Sequence, residues 1–348
     1  MNRTLAMPAR LNRKIVLAAR PNGVPGPEDF AIVDEHLPAL TDGRMLIRHE
    51  ALGLAPAARL RMSAQASYAA PLALGETVYG QAVGRVVESR HPQYRPGDRV
   101  MAMAGGWQLY SVSDGTKVWP IDTRIAPPTV WLGALGVSGM TAWTGLRIIG
   151  SPRAGETVVV SAVTGGVGSV AAQLAHAWGC RVVGVAGGSE KCEHAKRHLG
   201  IDACVDYRDP GFATDLAAAC PDGVDVYFDN VGGKVRDAVW QHLNRDARAV
   251  VCGLISEYNA LGGREAGPPW FDVLSKRLTV RGFILSDHLE RRAEFVEEAG
   301  RLYQAGRLRV HEDVSHGLGR VPAAFAAMLQ GRNLGKTVVY LETEDPAI

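Results

Sequence analysis

A glycine turn between an apolar run and a helical pattern is the clearest sign of chemistry in this sequence. The β-branched run 157–160 predicts a strand buried on both faces, and small, apolar residues over 169–177 predict a helix. Gly165 and Gly168 lie between them and allow a tight turn close to a ligand. Because free N–H groups at a helix start attract phosphate, this pattern predicts a dinucleotide site. Val163 replaces the first glycine of the full Gly-x-Gly-x-x-Gly pattern, so a plain strand–turn–helix is the alternative.

The residues after the next predicted strand indicate which dinucleotide would bind. NAD sites usually carry an acidic residue about 20 positions after the glycines, where it holds the ribose 2′-hydroxyl. Ala186 and Gly187 occupy that place, and Ser189 and Lys191 follow with a hydroxyl and a cation that suit a 2′-phosphate. Glu190 has the opposite charge, but it lies one step past the strand end, where it would face solvent. The pattern favours NADP over NAD. The alternative is that Lys191 is simply a solvent-exposed residue at the start of a helix.

Composition and charge argue against several classes of protein. The chain has 348 residues, enough for two domains, and 47% of them are hydrophobic, which predicts a sizeable core. Its net charge of +2 is dispersed, which argues against a nucleic-acid partner. No apolar run approaches the ~20 residues of a membrane span, and residues 1–13 lack the apolar core of a signal peptide. Five cysteines without paired spacing predict reduced thiols in a cytoplasmic protein.

The order of the predicted elements indicates an α/β fold with two domains. Residues 1–127 contain short strand-like runs separated by turns with proline and glycine. Over 128–309 strands alternate with helices, as in a doubly wound parallel sheet. Residues 310–348 return to strand-like runs around one helix, and we expect them to fold back onto the first domain.

Several motifs occur in an order and spacing that resemble a known superfamily. They are Arg-Pro-Gly-Asp-Arg-Val at 95–100, Gly-Met-Thr-Ala-Trp at 139–143, Phe-Asp-Asn-Val-Gly-Gly at 228–233, Cys-Gly-Leu-Ile-Ser-Glu-Tyr-Asn at 252–259, Arg-Gly-Phe-Ile at 281–284 and Asn-Leu-Gly-Lys-Thr at 333–337. With the glycine turn they resemble the zinc-independent branch of the medium-chain dehydrogenases/reductases. That branch holds the leukotriene B4 12-hydroxydehydrogenase/prostaglandin reductases and the plant 2-alkenal (double-bond) reductases.

The resemblance covers nearly the whole chain and implies its organisation. It implies a β-rich, GroES-like substrate domain at 1–127 and 310–348, and a Rossmann NADP-binding domain at 128–309. Relatives of this kind usually form homodimers, and the strand edge around 280–285 is where two copies would pair.

The resemblance also implies which residues contact NADP. The glycine turn would hold the pyrophosphate, Lys191 would meet the 2′-phosphate with Tyr207 beside it, and Asn230 would hold the ribose side. Two loops and Asn333 would line the nicotinamide and the linker. The implied cofactor residues are Gly165, Gly166, Val167, Gly168, Lys191, Tyr207, Asn230, Cys252, Gly253, Leu254, Ile255, Ser256, Glu257, Tyr258, Phe283, Ile284, Leu285 and Asn333.

Two departures from the family pattern concern the substrate pocket. The family often has Asp-Pro-Tyr-Met-Arg where this chain reads Ala-Pro-Ala-Ala-Arg at 55–59, so small side chains would open or reshape the pocket. The family run Gly-Met-Pro-Gly-Met-Thr-Ala-Tyr appears as Gly-Val-Ser-Gly-Met-Thr-Ala-Trp at 136–143. Cofactor binding is compatible with both changes, whereas the identity of the substrate is left open.

The sequence lacks the pattern of a catalytic zinc site. Such a site needs three ligands from Cys, His, Asp or Glu, yet no cysteine precedes Cys180 and no Gly-His-Glu triplet occurs. His194 and His198 lie four residues apart near Cys192, but a solvated helix face is a better interpretation than a metal site. Without a Lewis acid, oxidation of a simple alcohol is hard. Reduction of a C=C bond conjugated to a carbonyl needs only hydride at the β-carbon and donors at the carbonyl oxygen.

Tyr258 is the candidate catalytic residue, because a phenol with a pKa of about 10 stays protonated at neutral pH and can donate to an enolate. The alternative is that Tyr258 packs against the ribose and solvent provides the proton. Arg59 and Tyr68 are candidate substrate contacts; a surface salt bridge and an ordinary loop tyrosine are their respective alternatives.

The leading hypothesis is an NADPH-dependent reductase of α,β-unsaturated ketones and aldehydes. An NADPH:quinone reductase and a metal-independent alcohol dehydrogenase are alternatives. A non-catalytic NADPH-binding protein is a further alternative, supported by the loss of pocket residues at Ala55, Ala57 and Ala58.

Overall fold

The structure is a computed structural model that describes residues 11–65, 67–259 and 267–341. Residues 1–10 and 342–348, to which the predictions on the signal peptide and the substrate domain extend, lie outside it. The α-helices are α1 (Ala57–Met62), α2 (Val137–Thr144), α3 (Gly168–Ala177), α4 (Ser189–His194), α5 (Phe212–Ala219), α6 (Gly233–Gln241), α7 (Trp270–Lys276), α8 (Arg292–Gln304) and α9 (Val321–Leu329). The strands are β1 (Leu11–Leu17), β2 (Phe30–His36), β3 (Met45–Gly53), β4 (Gln81–Ser89), β5 (Arg99–Ala102), β6 (Tyr110–Ser113), β7 (Val118–Pro120), β8 (Thr157–Ser161), β9 (Arg181–Ala186), β10 (Ala203–Asp206), β11 (Val224–Asp229), β12 (Leu243–Val251), β13 (Thr279–Gly282), β14 (Glu312–His316) and β15 (Lys336–Tyr340).

A parallel sheet of six strands, in the order β10-β9-β8-β11-β12-β13, forms the nucleotide domain. Strand β8 is buried along its whole length, as its β-branched run predicts. Val158 and Val160 point into one apolar cluster and Val159 into another, so both faces of the sheet are covered. The strand order reverses between β8 and β11. In open parallel sheets the crevice at such a reversal, beyond the carboxyl ends of the strands, is where ligands bind.

A second sheet joins the two ends of the chain. It has seven strands along the path β14-β15-β3-β4-β5-β7, with β6 paired to β3. Strand β15 runs antiparallel to β3, with Val338 opposite Gly53, so the last strand belongs to the N-terminal sheet. The predicted fold class, a β-rich domain with a doubly wound parallel sheet, is confirmed. The exact boundaries at 127/128 and 309/310 stay predictions.

Aromatic packing fixes the last helix to β2, which forms a separate two-stranded sheet with β1, and to the loop between β5 and β6. The ring of Trp107 lies 5.4 Å from that of Phe30 and 5.2 Å from that of Phe325 on α9, measured between centroids. Trp107 and Phe325 are fully buried. Loss of a buried ring of this kind typically lowers the free energy of unfolding by about 3–5 kcal/mol. The same apolar cluster includes Leu52 and Val339 of the seven-stranded sheet, so this sheet and α9 form one packed unit.

Two further predictions concern the chain as a whole. All five cysteines are free thiols, as their spacing predicts. Across the described ranges, none of the helices combines the length and apolar character that crossing a bilayer requires. The cytoplasmic location stays a prediction.

Candidate active site

A cavity of about 860 Å³ lies at the crevice between the two sheets. The nucleotide domain contributes the glycine turn after β8 and the loops after β9, β11, β12 and β13. The N-terminal sheet contributes the ends of β3 and β4 and the start of α1. The two domains thus share one cavity, with the strand-order reversal at its floor.

The glycine turn is packed so closely that side chains would not fit. A Cβ on Gly168 would lie 2.2 Å from the carbonyl oxygen of Ala162, and Ala162 itself has a left-handed φ of 49°. Helix α3 starts at Gly168 without a side-chain cap. The Ser169 N–H donates to the Gly165 carbonyl oxygen at 3.0 Å, whereas the N–H groups of Gly168 and Val170 have no partner within the part of the protein that the structure describes and are available to a ligand. A compact turn ending in an uncapped helix start fits the diphosphate of a dinucleotide.

Lys191 lies at one end of the cavity and already has two partners. Its Nζ donates to the carbonyl oxygens of Gly331 and Asn333, at 2.8 and 2.6 Å. An ammonium group has three N–H donors, so one remains for a ligand. Burial, and then the nearby Arg208, lower the pKa of Lys191 below its ordinary value. An anion at this end of the cavity would offset both causes, because its negative charge favours the protonated ammonium, which fits the predicted 2′-phosphate.

Two further cations near Lys191 were not predicted from the sequence. Lys234 Nζ lies 5.0 Å from the ring centroid of Tyr207, and both residues line the cavity. The Arg208 guanidinium approaches the backbone of Gly187, where a Cβ would be 2.9 Å from its Nε. Arg208 directly follows Tyr207, and that proximity is the signal that would have found it. The region predicted to bind a 2′-phosphate is therefore polycationic.

The loops after β11 and β12 form the opposite end of the cavity. Asn230 is held by Ser161 at the end of β8: its Nδ2 donates to the Ser161 carbonyl oxygen at 2.7 Å, and its N–H donates to Ser161 Oγ at 2.8 Å. Tyr258 lines the cavity, and its hydroxyl oxygen accepts the N–H of Leu254 at 3.3 Å. Burial raises the pKa of Tyr258 to about 12. The phenol therefore stays neutral and keeps its own proton for a ligand.

The structure brings most of the predicted cofactor residues to the cavity wall. These are Gly165, Gly166, Val167, Gly168, Lys191, Tyr207, Asn230, Cys252, Gly253, Ile255, Ser256, Tyr258, Phe283, Ile284, Leu285 and Asn333. Leu254 and Glu257 lie outside the lining. Leu254 supplies the N–H that Tyr258 accepts, and the carboxylate of Glu257 lies 3.8 Å from Arg236. They support the wall rather than form it.

Of the two predicted substrate contacts, one lines the cavity and the other does not. Tyr68 lines the cavity. Arg59 does not line it: it is 5% exposed, and its guanidinium donates to Asn259 Oδ1 and to the Gly23 carbonyl oxygen, both at 3.0 Å, so its role as a substrate contact stays a prediction. Arg61 lines the cavity instead, with its guanidinium 4.5 Å from the ring centroid of Tyr79. On the short helix α1 a two-residue step changes which way the side chain points.

Lys336 and Gln81 also line the cavity, although sequence analysis missed them. Lys336 is 5% exposed and donates from Nζ to the Leu54 carbonyl oxygen at 2.8 Å. Its side chain lies beside Gly166, where a Cβ would be 3.1 Å from Lys336 Cδ. Burial lowers the pKa of Lys336 to about 8. Lys336 belongs to the motif that was used for Asn333, so a signal for it existed; Gln81 simply begins a strand and offers none.

The histidines near Cys192 do not form a metal site. The rings of His194 and His198 stack with centroids 4.6 Å apart, and His311 meets His194 edge-on at 4.7 Å. In the part of the chain that the structure describes, no three side chains from His, Cys, Asp and Glu are placed to hold a metal ion.

Comparisons with known proteins agree with this architecture. Residues 13–121 match the family model for the N-terminal domain of oxidoreductases, and residues 166–303 match the one described as zinc-binding dehydrogenase. The chain is 43% identical to the NADPH-dependent curcumin reductase of Escherichia coli, over 96% of this chain and 98% of that protein. It is 35% identical to the NADP(+)-dependent 2-alkenal reductase of Nicotiana tabacum, again over 96% and 98%. The crystal structure of CurA from Vibrio vulnificus in complex with NADPH matches with a TM-score of 0.90 and 42% identity, covering 95% of this chain and 99% of that one.

Fold, site and relatives define a class of protein. The chain belongs to the zinc-independent branch of the medium-chain dehydrogenases/reductases, the NADP-dependent oxidoreductases that include the curcumin, prostaglandin and 2-alkenal reductases. The family predicted from the motifs is confirmed.

Proposed function

We propose that this protein is an NADPH-dependent reductase of the C=C bond of α,β-unsaturated ketones and aldehydes. The observation that carries the proposal is the hydroxyl of Tyr258, which accepts a backbone N–H, keeps its own proton and lines the same cavity as the glycine turn. The names of two relatives, a curcumin reductase and a 2-alkenal reductase, point to the same substrate class.

The residues of the cavity fit NADPH, which supplies the hydride for the β-carbon when it is bound. The N–H groups at the start of α3 bind the diphosphate, and Lys191 binds the 2′-phosphate. These contacts would orient the cofactor for transfer of the hydride.

Tyr258 acts on the carbonyl end of the substrate. As hydride adds to the β-carbon, electrons move to the carbonyl oxygen and form an enolate. The Tyr258 hydroxyl donates a hydrogen bond to that oxygen and so stabilises the charge in a site of low polarity. A proton then reaches the α-carbon by one of two routes. Either Tyr258 donates it and is reprotonated by water, or a water molecule donates it directly.

The test is NADPH oxidation with matched enones, enals and quinones, with the products identified by mass spectrometry. We expect saturated ketones and aldehydes to form from enones and enals. Turnover of quinones alone would identify a quinone reductase. Tight NADPH binding without turnover of any acceptor would identify a non-catalytic binding protein, and either result would reject the proposal.

We further propose that two copies pair at the edge strand β13. This strand ends the six-stranded sheet, and its Val280 is 42% exposed. Trp270, Phe271 and Leu274 of α7 are also largely exposed, and an apolar surface of this size is typical of an interface. Light scattering after size-exclusion chromatography should give a dimer mass, and Val280→Glu should give a monomer. A monomeric wild-type protein would contradict this.

A further inference from the structure

Among the residues that the structure describes, two side chains of the cavity, Gln81 and Thr337, each have a buried oxygen without a hydrogen-bond partner. Gln81, the first residue of β4, lines the cavity and is 3% exposed. Its Oε1 is buried without a hydrogen-bond partner. An unpaired buried amide oxygen is unfavourable, and in native proteins such a group usually has an identifiable reason. Oε1 has almost no accessible surface, so a ligand group in the cavity can pair with it once the terminal torsion turns the amide towards the cavity.

The surroundings of Gln81 narrow the chemistry of that group. Leu54, Ala55, Ala57 and Met103, also of the N-terminal domain, give the same wall apolar side chains. A neutral amide in an apolar wall suits a neutral polar group, because a charged one would lose its hydration without a counter-charge from Gln81. Rotation about the terminal torsion exchanges the amide oxygen and nitrogen, so Gln81 can both accept from and donate to a hydroxyl.

Arg61, a cation that also lines the cavity, is engaged with another side chain. The Arg61 guanidinium covers the Tyr79 ring at 4.5 Å, and Tyr79 also lines the cavity. Burial raises the pKa values of both Tyr79 and Tyr68, so these phenols are neutral. Tyr258, the proposed partner of the substrate carbonyl, belongs to the nucleotide domain, whereas Gln81 belongs to the N-terminal sheet. The two residues can therefore bind different groups of one substrate.

Building on the proposed reductase activity, we propose that Gln81 is a specificity-determining residue that binds a hydroxyl group of the substrate. The preferred substrates are then α,β-unsaturated carbonyl compounds that carry a hydroxyl in addition to the conjugated C=C bond. Compounds that lack the hydroxyl leave the buried amide unpaired and react more slowly, since sites built to pair with a hydroxyl discriminate against analogues without one.

The test compares two enones that differ only in a hydroxyl, p-hydroxybenzylideneacetone and benzylideneacetone. The wild-type protein should reduce the hydroxylated compound with kcat/KM about tenfold higher or more. In Gln81→Met, which keeps the length of the side chain but cannot hydrogen-bond, this ratio should fall to about one, with kcat/KM for benzylideneacetone within roughly twofold of wild type. Gln93→Met makes the same chemical change at an exposed residue and should keep the wild-type ratio.

A binding measurement separates failure of this inference from failure of the proposed function. Calorimetry with the saturated ketones, p-hydroxybenzylacetone and benzylacetone, on the protein with NADP⁺ needs no turnover. Gln81→Met should abolish the preference for the hydroxylated ketone and leave the Kd for NADP⁺ unchanged. An unchanged preference in Gln81→Met, or a loss confined to NADP⁺ binding, would overturn the role of Gln81. Absence of enone reduction by the wild-type protein, with the binding preference intact, would overturn only the proposed reaction.

Discussion

The ammonium group of Lys191 lies 2.6 Å from the carbonyl oxygen of Asn333. This bond joins α4 of the nucleotide domain to the segment that precedes β15. The side chain predicted to bind the 2′-phosphate is therefore already ordered before a ligand arrives, and little conformational entropy is lost on binding. Asn333 therefore positions Lys191 and also lies in the cavity wall, as expected for its predicted role in binding the cofactor.

The first prediction concerns the choice between NADPH and NADH. Lys191→Met removes a charge-assisted hydrogen bond to the 2′-phosphate, typically about 1.5–3 kcal/mol, so the Kd for NADPH should rise roughly 10- to 100-fold. The Kd for NADH should change little. Fluorescence titration of both cofactors gives the two values, and Lys196→Met, an exposed lysine paired with Glu193, is the control. Equal weakening of NADH and NADPH would contradict a role at the 2′-phosphate.

The second prediction concerns the proton donor. Tyr258→Phe removes the hydroxyl but keeps the ring, so kcat should fall by about 10²–10⁴ if the phenol acts as general acid. The Kd for NADPH should stay close to the wild-type value. Because burial raises the pKa of Tyr258 to about 12, wild-type kcat should show no loss of this acid up to that pH. A Tyr258→Phe protein with wild-type kcat would contradict both proposed roles of the hydroxyl, as donor to the enolate oxygen and as general acid.

The third prediction follows from the buried ammonium of Lys336. Its folded pKa of about 8 lies below the ordinary 10.5, so between these values the unfolded chain holds a proton that the folded chain has lost. This group alone makes stability rise with pH across that window, by about 3 kcal/mol, and the gain disappears as pH falls through 8. The free energy of unfolding of the wild type and of Lys336→Met, measured by denaturation over this pH range, should differ by an amount that changes by about 3 kcal/mol. A difference independent of pH would contradict it.

The same lysine should link cofactor binding to proton uptake. An anionic diphosphate at the glycine turn would raise the pKa of Lys336, because the side chain lies beside Gly166. Binding of NADPH just above pH 8 should therefore take up a proton, which calorimetry in buffers of different ionisation enthalpy measures. Lys336→Met should bind without this uptake.

The fourth prediction tests the packing of the turn. A methyl group on Gly168 would collide with the Ala162 carbonyl oxygen at 2.2 Å, whereas one on Gly165 would lie 3.2 Å from the same atom. Gly168→Ala should lower the free energy of unfolding by about 1–3 kcal/mol and weaken NADPH binding, as overpacking forces the backbone to move. Gly165→Ala is the matched, milder change. Equal free energies of unfolding of the two variants in urea would contradict this prediction, because they would show that the backbone of the turn moves at little cost.

The features that could be predicted from the sequence are those encoded within one short segment of the chain. The strand, turn and helix from Thr157 to Ala177 are contiguous, so β-branching, two glycines and helical spacing all report on the same short segment. Lys191 was found for a similar reason, since it follows the next strand along the chain. Tyr207 came from the family resemblance, and it follows the strand that pairs with that one in the same parallel sheet. In such a sheet the carboxyl ends of the strands meet at one edge.

The N-terminal half of the site depends on contacts that no local pattern reveals. Lys336 reaches Leu54 from the far end of the chain, and only the pairing of β15 with β3 brings them together. The choice between Arg59 and Arg61 depends on the direction of each side chain on α1, which the tertiary packing of that short helix determines. Gln81 is recognisable only once the cavity exists and its Oε1 is seen to be unpaired.

Gly335 donates its N–H to the carbonyl oxygen of Thr164 at 2.9 Å, directly beside the glycine turn. During translation the turn therefore emerges from the ribosome long before the segment that completes it. A nascent chain halted ahead of β15 would carry a dinucleotide turn without its neighbour and a bare edge on β3. Cofactor capture is thus a late event in the biogenesis of this protein, and premature termination only slightly upstream of residue 335 leaves a chain that cannot assemble the pocket.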